Sequence, residues 1–429
     1  MINIDKKLVC YQSIESGRNI RHHVLIATIA GKSILLSHAN LFLSEHAISS
    51  VETSNRYASV IARFYKYLST KTKYSALNVE QYHVVADNRD IKSWQVYRQI
   101  QRAKSQSTKP SSKTIYAEAK TLLTFFSWIN ESGYITNVAV KKKTWLANFK
   151  NEHMLNYVMR QASERIDGKN ITVLDKESRQ SKSKKLITNA EIKLLIQGYH
   201  DPVYTAIFKL ALGTAMRPMD ICRFPYIGHG TNRHIMPFSE MRKIKAATVD
   251  YNISASKGNK SRTIKVHKSD LKALEDYYIK PHYYDRVAKY EERYGEKCPP
   301  SVLFLTKSGT PVTPLKISSR TYDAKKAIQS KTPSFRDSVT FYDTRHWWPT
   351  MFLIKFFGDS LLTESADALY AAAAEVLINQ MGHEDIGTTY KYYIDMSRVL
   401  AMSNKGYVAE IITEDDESVI DFIERADKN

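Results

Sequence analysis

The sequence predicts a mainly α-helical protein that contains a small antiparallel β-sheet. Apolar residues recur at helical spacing in long segments of both halves of the chain, which indicates helices with one buried face. Residues 248–254 and 263–267 instead alternate apolar and polar side chains around Gly258-Asn259, a dipeptide typical of hairpin turns. With 43% apolar and 25% charged residues in a chain of 429, the composition is that of a globular protein with two or three domains.

Residues 1–43 are predicted to be an N-terminal extension. They contain one strand-like run, from His23 to Leu36, with a turn signal at Gly31. The run predicts either a small β-hairpin or an extra arm, and its residues give no indication of a function.

Residues 44–160 are predicted to form an all-helical domain with a basic surface. Helices are expected at about 49–70, 91–103 and 112–130, where apolar residues fall on one face and many Arg and Lys residues occupy other positions. These residues alone are as compatible with a plain helical bundle, whose charges are solvated, as with a DNA-binding domain.

A polar linker at 161–186 is predicted to separate the helical domain from a second domain at 187–405. The stretch 164–185 is charged and has few large apolar residues, as interdomain linkers do. Thr188 and Glu191 then form a capping-box pattern, which indicates the start of the next helix.

The charge of the chain is large and uneven. The net charge is +19, but residues 410–429 hold eight acids and two bases, so the rest of the chain carries +25. The acidic C-terminal tail is assigned to 406–429. A strongly basic body favours a polyanionic partner, either nucleic acid or an anionic membrane. No apolar run is long enough to span a membrane, and the bases are not gathered on one amphipathic helix, so we expect nucleic acid and no membrane.

The spacing of the cysteines and the N-terminal residues allow predictions about the cellular compartment and about bound cofactors. Cys10, Cys222 and Cys298 are too far apart for a disulfide framework and lack metal-ligand spacing. The first residues lack the apolar core of a signal peptide. We therefore expect a cytoplasmic protein with no metal ion and no other cofactor.

Short motifs in the second domain carry the residues that suggest chemistry. GTAMRPMD holds Arg217 at a predicted helix start, SKGNKSR holds Lys257 at the hairpin turn, and YDTRH holds Arg345. MGH then holds His383, and a tyrosine cluster with Tyr392 follows. Arginine presents a donor fork that suits phosphate oxygens, and a tyrosine hydroxyl can act as a covalent nucleophile. Since the sequence shows neither a P-loop nor a carboxylate cluster for two metals, these residue types suggest metal-free attack on a phosphodiester.

In this order, the motifs resemble those of the catalytic domain of the tyrosine recombinases, the phage-integrase superfamily. The family pattern runs from an Arg box through a hairpin Lys, an H-x-L-R-H box and an L-G-H box to a nucleophilic Tyr. Tyr392 follows His383 by nine residues, which is the family spacing. The resemblance covers roughly Lys185 to Leu400. It implies a helical core-binding domain followed by a catalytic domain, in a recombinase that acts on double-stranded DNA as a homotetramer.

The resemblance assigns a role to each motif residue. Tyr392 would attack the phosphodiester, form a 3′-phosphotyrosyl link and release a 5′-hydroxyl group. Arg217 and Arg345 would hold the non-bridging oxygens and stabilise their growing charge. Lys257 would protonate the leaving 5′ oxygen. His383 would donate a hydrogen bond to a phosphate oxygen.

Three further residues adjoin these motifs. Tyr342 stands where the family has the first His of its box, and a phenol with a reference pKa of about 10 is a poor base at neutral pH. We therefore expect Tyr342 to be a hydrogen-bond donor or an orienting group. Asp220 is expected to orient Arg217 by a bidentate pair, although such a pair is also a common structural salt bridge. His346 is expected to be a buried support.

Two other functions stay open from the sequence. Tyr342 and the two long stretches at 228–245 and 357–374 depart from the family pattern. These departures are compatible with a DNA-binding protein that descends from recombinases and is catalytically silent. A type IB topoisomerase-like enzyme, which nicks and rejoins DNA, would use similar phosphotyrosine chemistry.

Overall fold

The structure is a computed structural model, and the residues that it describes are 2–14, 17, 19–29, 31–48, 50–144, 164–175, 186–241, 246–256, 260–358, 361, 366–382, 393, 397 and 424. They belong to two units, the first formed by residues 2–144 and 164–175 and the second by the described residues from 186 onward. Both units are mainly helical and hold small antiparallel sheets, which confirms the predicted fold class. No helix within the described ranges combines the length and apolarity needed to cross a membrane.

The first unit begins with a three-stranded antiparallel sheet in the order β1-β2-β3. Its strands are β1 (Asn3–Gln12), β2 (Asn19–Ile29) and β3 (Lys32–Leu35). The turn between β2 and β3 contains Gly31 at a φ of +78°, a conformation that glycine adopts without strain. The sequence gives no alternating signal for β1 because only Ile4 of its ten residues is buried.

Helices pack against this sheet and share its core. They are α1 (Ser37–His46), α2 (Val51–Leu68), α3 (Tyr82–Val85), α4 (Asn88–Lys104) and α5 (Ser112–Glu131). Leu25 of β2 and Phe42 of α1 are both fully buried in the core that α2 and α5 complete. The residues predicted as a separate extension, 1–43, thus include a sheet that packs into the helical unit.

The stretch that sequence composition assigns to a linker begins inside the first unit. β4 (Lys141–Thr144) pairs with β5 (Glu164–Asp167), and a 3-10 turn at Gly168–Ile171 follows. Ile171 is fully buried in the core of the unit. Asp175 accepts a hydrogen bond of 2.8 Å from Arg102 of α4, and both side chains are nearly buried. The polar composition of the segment does not indicate this packing, because the segment is held by one buried apolar side chain, Ile171, and by the ion pair between Arg102 and Asp175.

The second unit contains eight helices in its described ranges and one β-hairpin. The hairpin strands are β6 (Thr248–Ser256) and β7 (Lys260–His267). The helices are α6 (Asn189–Gly198), α7 (Pro202–Thr214), α8 (Pro218–Ile221), α9 (Lys268–Leu274), α10 (Tyr284–Tyr294), α11 (Pro314–Lys331), α12 (Thr344–Phe357) and α13 (Ala366–Met381), and a π-helical segment, Glu275–Tyr283, joins α9 to α10.

Helix α7 forms the centre of the second unit. Its residues are almost all buried, and it packs against α12, α9 and β7. Asp201 caps its first turn by accepting from the backbone N–H of Val203, and Pro202 is its first residue, as the Asp-Pro pair predicts. The C-terminal end of α7 therefore has a fixed position, from which the chain continues to Arg217.

We predict that replacing Ile171 by Ala lowers the free energy of unfolding of the first unit by about 2–5 kcal/mol, because the change leaves a cavity in a packed core. Leu174→Ala is the matched control, since Leu174 is 89% exposed and its truncation removes little packing. Urea denaturation of both variants measures the difference. Equal stability of the two variants would show that residues 164–175 do not belong to this core.

Candidate active site

Arg217 lies directly between the buried helix α7 and the short helix α8. Ala215 ends α7 in the left-handed conformation with a φ of +55°, and Pro218 is the first residue of α8. The side chain of Arg217 is 18% exposed. Its Nη1 donates to Oγ of Ser256 at 3.1 Å, and its Nη2 donates to the carbonyl oxygen of Gly382 at 2.8 Å.

Arg345 is the second residue of α12 and is only 1% exposed. Its guanidinium donates to the carbonyl oxygen of Ala215 and, at 2.6 Å, to that of Met381. Burial, followed by the positive charge of Arg217, lowers the pKa of Arg345 to about 10. At neutral pH the side chain is still a cation, so a second fixed positive charge lies beside Arg217.

The two guanidinium groups meet at the C-terminal end of α13. The first of these carbonyls belongs to Met381, the last residue of the helix, and the second to Gly382, which directly follows it; backbone acceptors at a helix end lack helical partners. The same end carries the negative pole of the helix dipole, which favours cations. Gly382 has a φ of +59° and ends the helix, as its place after the Ala-rich run predicts.

Gln380 holds this helix end against the rest of the unit. Its Nε2 donates to the carbonyls of Thr214 at 3.0 Å and of Lys265 at 3.1 Å. Its Oε1 accepts from the backbone N–H of Lys265 at 3.0 Å. The ends of α7, α13 and strand β7 are thereby joined at one place, a role that no motif in the sequence indicates.

Asp220 does not form the predicted bidentate pair with Arg217. The nearest distance between their charged atoms is 3.9 Å, from Nη1 of Arg217 to Oδ2 of Asp220. Instead, Asp220 is fully buried and pairs with Nη2 of Arg262 at 2.8 Å. It also accepts from Oγ of Ser256 at 2.9 and 3.1 Å. A buried carboxylate needs close donors, and the β-hairpin supplies them here.

Ser256 and Arg262 are the site residues that sequence reasoning missed. Both lie in the motif SKGNKSR, on either side of the hairpin turn, but only the lysine of that motif was selected. Nη1 of Arg262 donates to Oγ of Ser256 at 2.8 Å. The available signal was the position of both residues at the same end of one hairpin, where two strands bring them together.

Tyr342 and Tyr393 lie near Arg345, and His346 contacts both of these tyrosines. Tyr342 belongs to the 3-10 turn Phe341–Asp343 and is 46% exposed, and its ring is 5.8 Å from Cζ of Arg345. The rings of Tyr342 and His346 are edge-on, with 5.5 Å between their centroids. Nδ1 of His346 is 3.3 Å from the hydroxyl of the buried Tyr393, so His346 supports the chain at this residue.

Lys257, His383 and Tyr392 lie outside the described residues, as does the acidic tail apart from Glu424. Each of the three has a sequence neighbour in the cluster. Ser256, which precedes Lys257, accepts a hydrogen bond from Arg217 through its hydroxyl group. Gly382, which precedes His383, accepts one from Arg217 through its carbonyl oxygen. Tyr393 contacts His346. The described parts of all five motifs therefore come together in one place.

The charge balance of the cluster favours an anion. Among the described residues, the cluster holds three guanidinium groups, those of Arg217, Arg262 and Arg345, and the buried carboxylate of Asp220, which pairs with Arg262. Within the part of the chain that the structure describes, no three His, Cys, Asp or Glu side chains gather as metal ligands. The arrangement can hold the oxygens of a phosphate group by charge-assisted hydrogen bonds.

No protein-family model matches the chain, and no curated protein matches it. Several solved structures are similar to it. A XerH site-specific recombinase, bound to a palindromic difH substrate in a post-cleavage complex, is 14% identical over 87% of this chain and 85% of that one, with a TM-score of 0.48. The Tn1549 transposon integrase, in complex with circular intermediate DNA, is 14% identical over 85% of this chain and 98% of that one, with a TM-score of 0.47.

A lambda integrase dimer, bound to a COC′ core site, is 13% identical over 84% of this chain and 95% of that one, with a TM-score of 0.43. Because these identities and TM-scores are low, we base the function on the contacts of this chain's own residues. By name, these three structures are one site-specific recombinase and two integrases.

Proposed function

We propose that the protein is a site-specific DNA recombinase or integrase, which cuts and rejoins double-stranded DNA through a 3′-phosphotyrosyl intermediate. The observation that carries this proposal is the convergence of Arg217 and Arg345 on the carbonyl end of α13. Two cations from distant parts of the chain meet immediately before His383, beside a hairpin whose turn contains Lys257. The net charge of +19 supports a nucleic-acid partner.

In the proposed reaction, Tyr392 attacks the phosphorus atom and the bond to the 5′ oxygen breaks. Arg217 and Arg345 bind the non-bridging oxygens, whose charge grows in the transition state. Lys257 delivers a proton to the leaving 5′ oxygen, and His383 donates to a phosphate oxygen. The phosphotyrosyl link replaces one ester by another, so rejoining needs no ATP.

Tyr342 and His346 act around this phosphate rather than on the leaving group. Tyr342 is half-exposed beside Arg345, so its hydroxyl is available as a hydrogen-bond donor to the bound phosphate. His346 holds Tyr393, the residue after the proposed nucleophile. The burial of Tyr393, which is 2% exposed, supports a structural role for it and makes Tyr392 the better nucleophile.

We further propose that the active form is a homotetramer on DNA, in which each protomer cuts one strand. A plasmid assay separates this from a type IB topoisomerase-like activity. A recombinase joins strands from two partner sites, whereas a topoisomerase relaxes supercoils without such joining.

We predict that Tyr392→Phe binds target DNA as tightly as the wild type but forms no covalent adduct, because the phenol oxygen is the attacking atom. Target duplexes are first selected from random DNA by binding to this variant. The selected duplexes are then nicked, so that attack releases a short strand and traps the adduct. Denaturing gels measure the trapped protein.

Tyr393→Phe is the matched control and should still form the adduct. An adduct with Tyr392→Phe would assign the nucleophile to another residue. Failure of the wild type to form any adduct on DNA that it binds would favour the catalytically silent alternative.

We predict that Tyr342→Phe slows adduct formation roughly 10- to 100-fold, the cost of one hydrogen bond to a charged group. Tyr342→His should keep most of the rate, because imidazole also donates. Tyr294→Phe is the control, since Tyr294 is a similarly exposed tyrosine at the end of α10. Single-turnover rates measure the effect, and an unchanged rate for Tyr342→Phe would remove its hydroxyl from the reaction.

A further inference from the structure

We infer that Arg262 is a positioning residue for the proposed strand cleavage, which it serves by fixing the guanidinium of Arg217 through Ser256 and Asp220. The inference rests on the proposed function, because it concerns the same phosphate site. Arg262 lies on β7, and its Nη1 and Nη2 donate to Ser256 and Asp220, so we assign it to holding these two groups and not to binding the phosphate.

The first observation is the full burial of Asp220. A carboxylate that is 0% exposed requires a close cation, and Arg217 is too distant at 3.9 Å to donate a hydrogen bond. Arg262 supplies this cation, with Nη2 at 2.8 Å from Oδ2 of Asp220. The charge of Asp220 is thus compensated mainly by Arg262, which leaves Arg217 more of its charge for an anion.

The second observation is that the Ser256 hydroxyl is saturated. A serine hydroxyl has one proton and two acceptor sites. Oγ donates its proton toward Asp220, at 2.9 and 3.1 Å from the two carboxylate oxygens. It accepts from Nη1 of Arg217 at 3.1 Å and from Nη1 of Arg262 at 2.8 Å. Because Asp220 accepts the proton, the lone pairs of Oγ are directed at the two arginines.

The third observation is the close contact between Arg262 and Gly382. A Cβ atom on Gly382 would lie 2.9 Å from Cδ and 3.0 Å from Nε of Arg262. Gly382 is also the residue whose carbonyl accepts from Arg217. Arg262 therefore touches both groups that bind Arg217, the Ser256 hydroxyl through a hydrogen bond and Gly382 through packing.

The geometry requires a planar fork at position 262. One end of the guanidinium reaches Asp220 and the other reaches Ser256, while the flat side chain packs on a residue without a Cβ. A lysine ammonium is a single point charge on a flexible stem and cannot span both acceptors in this way. Arg262→Lys should therefore keep the charge near Asp220 but release Ser256.

The experiment uses the full-length protein and the nicked duplex described above. We predict that Arg262→Ala slows adduct formation roughly 100-fold, as a small misplacement of a catalytic group does, while DNA affinity stays unchanged. Arg262→Lys and Ser256→Ala should slow it by about 10-fold or more, since each breaks the link to Arg217. Ser256→Ala also provides the test if Arg262→Ala does not fold. Lys272→Ala is the control, because it removes an exposed cation of the same unit that pairs with an acid.

A double variant distinguishes positioning from simple charge neutralisation. Arg262→Ala leaves Asp220 buried without its cation, so thermal stability should fall. Adding Asp220→Asn removes that buried charge and should restore stability. We expect the adduct rate of the double variant to stay low, because Oγ of Ser256 no longer has a charged acceptor that orients it.

Recovery of both stability and rate in the double variant would overturn the inference, since Arg262 would then serve only to neutralise Asp220. A wild-type rate in Arg262→Ala or in Ser256→Ala would overturn it while leaving the proposed function intact. If the wild type itself forms no adduct, the proposed function fails and the positioning role fails with it.

Discussion

The second unit depends on the binding of two arginines to one helix end. Arg217 and Arg345 would repel each other in an apolar interior, yet both lie within it or at its edge. The carbonyls of Met381 and Gly382 make this possible, because the C-terminal end of α13 offers unpaired acceptors and a negative pole. Almost all residues of helix α7 are buried, so the helix fixes the position of the segment that carries Arg217. The arginine cluster therefore depends on the backbone acceptors at the end of α13 as well as on the two arginine side chains.

The order of motifs along the sequence selected Arg217 and Arg345, and the structure places both guanidinium groups at the end of α13. Most helices and the β6–β7 hairpin were also predictable from periodicity. The partner of Asp220 was not, since spacing within a helix says nothing about a hairpin more than thirty residues away. Ser256 and Arg262 were overlooked for the same reason: their importance comes from contacts across the chain. Ile171 illustrates a different error. The composition of its segment predicts a linker, but this one buried side chain anchors the segment in the core of the first unit.

Among the described residues of the site, a single acid, Asp220, orders two of the three arginines. Asp220 neutralises Arg262 at close range and, through one hydroxyl group, sets the direction in which Arg217 is held. Burial and the neighbouring cations Arg217 and Arg262 lower the pKa of Arg345. An anion bound beside these arginines would reduce their mutual repulsion.

The side chain of Gln380 extends the hydrogen bonding of the β6–β7 hairpin beyond its two strands. The side-chain amide pairs with both the N–H and the carbonyl of Lys265, as a residue of a neighbouring antiparallel strand would. The two-stranded hairpin thereby gains the stiffness of a wider sheet at one point, without a further strand. A movement of strand β7 at Lys265 would therefore also displace the end of α13 that carries Gln380.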